Sequence, residues 1–65
     1  MKVSEANLKV GQIVCYSNYP TGLYKVVEVN NGIANCAYID QKTLKDIPSS
    51  HYNLHAADEI EIIFQ

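Results

Sequence analysis

The chain has 65 residues, of which 48% are apolar, and its five Lys and no Arg stand against seven acids for a net charge of -2. This reads as one small domain with enough apolar content for a compact core, which excludes an intrinsically disordered chain. No apolar run nears the roughly 20 residues of a bilayer-crossing helix, and Met1-Lys2-Val3-Ser4-Glu5 lacks the layout of a secretory signal; a cytoplasmic location is expected, and the acidic balance counts against nucleic-acid binding.

In chain order, Leu8-Lys9-Val10-Gly11-Gln12-Ile13-Val14-Cys15-Tyr16 is rich in β-branched and aromatic residues, and the segment predicts a first strand near 10–16. The turn-forming cluster Ser17-Asn18-Tyr19-Pro20-Thr21-Gly22 then predicts a loop. Leu23-Tyr24-Lys25-Val26-Val27-Glu28-Val29 predicts a second strand, because Val is stiff at χ1 and packs well on a pleated surface. Asn30-Asn31-Gly32 predicts a tight hairpin turn, since Asn and Gly both tolerate positive φ, and the third strand follows over Ile33 to Asp40.

Thr43-Leu44-Lys45-Asp46-Ile47 predicts a short fourth strand that ends at Pro48, which has no N–H for a ladder. Ser49-Ser50-His51-Tyr52-Asn53-Leu54 predicts one helical turn with Ser49 or Ser50 as its N-cap. Asp58-Glu59-Ile60-Glu61-Ile62-Ile63-Phe64 predicts a closing strand with Ile60, Ile62 and Phe64 on one face, and an amphipathic helix over 53–63 is the competing reading. Five short strands and one helical turn predict an all-β fold, a small strongly bent antiparallel barrel whose closure would remove exposed edges. With so little core, oligomerisation would be an easy way to add burial.

Two stretches resemble known families. Ile47-Pro48-Ser49-Ser50-His51-Tyr52 is similar, with one inserted residue, to the Ile-Pro-Ser-Asn-Tyr stretch of Src-homology 3 domains, whose Pro and Tyr line a groove for proline-rich peptides. Over roughly residues 11–40, Gly11-Gln12-Ile13-Val14-Cys15-Tyr16, Gly22-Leu23-Tyr24 and Ala37-Tyr38-Ile39-Asp40 resemble the layout of Tudor domains. Both belong to the SH3-like barrel group, so the resemblance implies one SH3-like barrel spanning residues 1–65. The Tudor likeness also implies that Tyr16, Tyr24 and Tyr38 fall near the positions of an aromatic cage for methylated ammonium groups.

Ring faces attract cations, so three converging tyrosines would suffice for such a cage. The alternative is that these rings pack across the sheet with their hydroxyls in water. Tyr19, in the predicted loop, and Tyr52, in the predicted helical turn, stand beside Pro20 and Pro48 as candidate contacts for a protein partner or as seals for the barrel ends.

Cys15 and Cys36 are too few for a disulfide scaffold and read as buried thiols, although a bridge between neighbouring strands stays open. His51 and His55 with the two cysteines give four residue types that zinc uses, but the 21-residue Cys spacing lacks a zinc knuckle, so no metal and no cofactor is expected. No nucleophile, base and orienting group recur at a recognisable spacing, and no catalytic residue is expected. Residues 1–33 sum to +1 and 34–65 to -3, the excess lying in Asp58, Glu59 and Glu61, which could keep an edge strand solvated or meet a basic partner. The expected function is a non-catalytic module that binds a protein or peptide. A nucleic-acid-associated barrel and a self-associating structural subunit are the alternatives, and no membrane contact is expected.

Overall fold

The computed structural model describes residues 1–47 and 50–65. It comprises α1 (Val3–Ala6), β1 (Ile13–Tyr16), β2 (Tyr19–Asn30), β3 (Ile33–Tyr38), β4 (Tyr52–Leu54) and β5 (Ile60–Phe64). All strand pairs are antiparallel, in one sheet ordered β4-β3-β2-β1-β5. No helix among the described residues is long and apolar enough to cross a membrane.

The β2–β3 hairpin turns where Asn-Gly predicts it. Asn31 at φ 47° and Gly32 at φ 79° are both left-handed, the geometry that matches the twist of the flanking strands. Beyond it Val29 faces Ala34, Val26 faces Cys36 and Tyr24 faces Tyr38 across the ladder, with Val27 inserted as a bulge. The inner face of this sheet carries Val14, Tyr24, Val26, Ala34, Cys36, Leu54 and Ile60, joined by Val3 and Leu8 from the N-terminal segment.

Four expectations need correction. β2 begins at Tyr19, so Tyr19-Pro20-Thr21-Gly22 is strand, not loop. Pro20 is tolerated because β3 pairs with β2 only from Tyr24 onward, so its missing N–H leaves no β3 bond unmade. The 43–47 segment is turn and bridge, not strand: Asp40 Oδ1 accepts from the N–H groups of Lys42 and Thr43 at 2.8 and 3.2 Å, winding the chain into an Asx turn, and only Asp46 pairs, with Ile39.

The fourth strand is instead Tyr52–Leu54, which rules out both a helical turn reaching Leu54 and a helix from Asn53 to Ile63. Ser50 does not cap a helix: its hydroxyl donates to the Ile47 carbonyl at 2.6 Å and accepts from the Tyr38 N–H at 3.0 Å, tying the end of β3 to the segment before β4. Pro48 and Ser49 lie outside the described residues. The short helix is α1, whose first free N–H groups, on Val3 and Ser4, donate to the carbonyls of Asp58 and Ala56. Finally, Ile60 and Ile62 face inward as predicted but Phe64 does not. A bulge at Ile63 lets Ile62 face Val14 and Phe64 face Ile13, and Phe64 is 68% exposed.

Candidate binding site: a tyrosine cluster

Four strands each deliver one tyrosine to the same end of the inner face. Tyr24 and Tyr38 are direct cross-strand partners, Tyr52 faces Cys36 two residues from Tyr38, and Tyr16 ends β1. Their rings meet. Tyr24 lies 5.8 Å from Tyr16, 5.2 Å from Tyr38 and 5.2 Å from Tyr52, centroid to centroid, while Tyr16–Tyr52 and Tyr38–Tyr52 are 6.1 and 6.0 Å apart. Three of these five contacts are edge-to-face, the arrangement that the ring quadrupole favours.

Tyr24 is the buried centre of the group, Tyr16 and Tyr52 are half-buried, and Tyr38 is 39% exposed. The Tyr16 hydroxyl donates to the Tyr52 hydroxyl at 2.8 Å. Burial raises the Tyr16 pKa above that of a free tyrosine, the Tyr52 bond raises it further, and the Asp58 carboxylate adds to both. Tyr24 is raised chiefly by burial, then by the neighbouring hydroxyls. These effects favour the neutral phenol at Tyr16 and Tyr24.

Tyr19 extends the surface. It is 60% exposed, and a Cβ placed on Gly22 would lie 3.0 Å from its ring and 3.9 Å from the Tyr24 ring, so Tyr19 lies over the glycine that separates it from the cluster. Beside Tyr16, the β1–β2 turn and the 57–59 loop enclose a concavity of about 540 Å³ lined by Tyr16, Ser17, Asn18, Ala57, Asp58 and Glu59. Of its two carboxylates, Glu59 is paired with the Met1 ammonium at 3.1 Å, and Asp58 has no ion pair among the described residues. Glu61 lies nearby, held below the usual carboxylate range by the Ser17 hydroxyl at 3.0 Å and then by the Met1 ammonium at 3.4 Å.

The structure therefore brings Tyr16, Tyr24, Tyr38 and Tyr52 together and places Tyr19 and Pro20 next to them on β2. Sequence reading separated Tyr52 from the other three because it placed that residue on a helical turn. The signal was the Tyr52–Leu54 alternation, which puts both side chains on the inner face of a strand. Comparison with known protein families, curated proteins and solved structures finds no significant match to this chain.

Cys15 and Cys36 are free and buried. They sit on opposite faces of the sheet, since Cys36 belongs to the inner cluster and Cys15 follows inward-facing Val14. Burial pushes the Cys36 thiol up to about 11. Among the described residues, no three His, Cys, Asp or Glu side chains gather as a metal site would require.

Proposed function

We propose that the chain is a non-catalytic binding module that recognises a protein or peptide partner through its tyrosine face. The observation that carries this reading is the convergence of four strand-borne tyrosines, one of them buried as a fixed base and the others graded outward to solvent, with Tyr19 and Pro20 alongside. Aromatic side chains held rigidly give large contact area at low entropic cost, which is why tyrosine is enriched at binding hot spots. The Asp58 carboxylate beside Tyr16 favours a partner segment with basic character.

A meander whose last strand lies beside its first also supports the SH3-like reading, and two unpaired, buried thiols suit a reducing compartment such as the cytoplasm. The test is a backbone-amide titration with three peptides: one carrying trimethyl-lysine, the same peptide unmodified, and a proline-rich one. Saturable shifts at Tyr16, Tyr38 and Tyr52 that vanish in Tyr38→Ala are the expected result. A cage for methylated ammonium requires the first peptide to bind better than the second. If none of the three moves these residues, the tyrosine face is not a peptide site and the reading fails.

A further inference from the structure

The sheet's outer face carries a second cluster, of a different chemistry. Glu28, Asn35 and Asn53 stand side by side on β2, β3 and β4, because Glu28 pairs with Asn35 and Asn35 with Asn53. Asn35 lies between Ala34 and Cys36, both of which face the core, so this row faces away from the tyrosines. With Asn30, Asn31 and Ile33 the row lines a concavity of about 240 Å³. Among the described residues, none of the five polar side chains bonds to another protein group, and the Oδ1 atom of Asn35 is sealed from solvent with no donor. An unpaired buried amide oxygen is a cost that the fold carries.

The chemistry of the lining restricts its ligand. A single carboxylate repels phosphate and sulfate, while no group of three metal-ligating acids, histidines or cysteines is present among the described residues. No aromatic ring lines the site to stack a nucleobase. What remains is four primary amides, each with donors and an acceptor, the two acceptor oxygens of the Glu28 carboxylate, and the exposed apolar side of Ile33. A neutral sugar ring matches this set, because every hydroxyl both donates and accepts and the ring's C–H face is apolar.

We propose that the Glu28–Asn35–Asn53 row is a binding site for a neutral carbohydrate. The test is a nitrogen-15 titration of the intact chain with the methyl glycosides of glucose, galactose and mannose and with N-acetylglucosamine, read at the side-chain amides of Asn30, Asn31, Asn35 and Asn53. The expected result is a saturable shift for at least one sugar, with a dissociation constant on the order of 1 mM, and its loss in Asn53→Ala, an exposed position whose backbone shifts report that the fold is intact. No saturable shift with any of the four sugars overturns the proposal. So does an equal response to glycerol, or a shift that survives Asn53→Ala.

Discussion

At the scale of single residues, the molecule's two kinds of buried chemistry make opposite demands. Tyr24 is packed against three other rings, so Tyr24→Ala removes the base of the cluster and leaves a void; the expected cost is about 3 kcal/mol or more, measured by urea denaturation. Tyr16→Phe keeps the ring and deletes only the bond to Tyr52, at about 1 kcal/mol. A similar loss for both variants would mean that the hydroxyl pair, not ring packing, holds the cluster. Cys36 adds a pH dependence. Its folded thiol is raised from 9.0 to about 11, so the native state holds the proton more tightly than the unfolded chain does. Its contribution to stability is therefore complete below pH 9.0 and falls as the pH climbs toward about 11. Tyr16 and Tyr24, also raised, act in the same direction at higher pH. Urea midpoints should decline as the pH rises above about 9.0, with a shallower decline in Cys36→Ala.

At the scale of elements, legibility followed the locality of the signal. The Asn31-Gly32 corner was readable because positive φ is a property of the two residues themselves. Gly32→Ala should accordingly cost about 1–2 kcal/mol in thermal denaturation, since φ 79° strains any residue with a Cβ. The start of β2 was not readable. Tyr19-Pro20-Thr21-Gly22 has the composition of a turn, and only the absence of a β3 partner at that height makes Pro20 acceptable in a strand. The Asp40 turn was missed because its Asx bonds leave no periodic trace, and α1 because its first N–H groups are satisfied from 55 and 52 residues away in sequence, by Asp58 and Ala56 of the loop before β5. For the site, the grouping of Tyr16, Tyr24 and Tyr38 came from the family resemblance, whereas Tyr52 depended on the pairing of a three-residue strand. Gly22 gives a way to probe the surface at this scale. Gly22→Ala should push the exposed Tyr19 ring aside, with a stability change within about 0.5 kcal/mol and altered Tyr19 ring-proton shifts. A large destabilisation would show that Tyr19 is packed rather than available.

At the scale of the whole molecule, the sheet ends in two edges, β4 and β5, and each is blunted. β4 has only three residues. β5 exchanges bonds with Met1 at Ile60, at 2.7 and 3.1 Å, and is bulged at Ile63, both of which interrupt a flat template for another strand. The same arrangement makes β5 the clasp of the fold, since it pairs with β1 and its Ile60 enters a core shared by β1, the β2–β3 hairpin, β4 and the N-terminal segment. A chain of this size has roughly 3–10 kcal/mol of stability, at 0.05–0.15 kcal/mol per residue. Ile60 is wholly buried, and truncating a buried Ile to Ala costs about 2–5 kcal/mol, so Ile60→Ala consumes much or all of that margin. Ile63, three residues on and 52% exposed in the bulge, has little packing to lose. Thermal denaturation followed by circular dichroism should show Ile60→Ala melting far below the parent chain and Ile63→Ala close to it. Equal losses at the two positions would mean that β5 is not bulged at Ile63, and the inward assignment of Ile60 and Ile62 would fall with it.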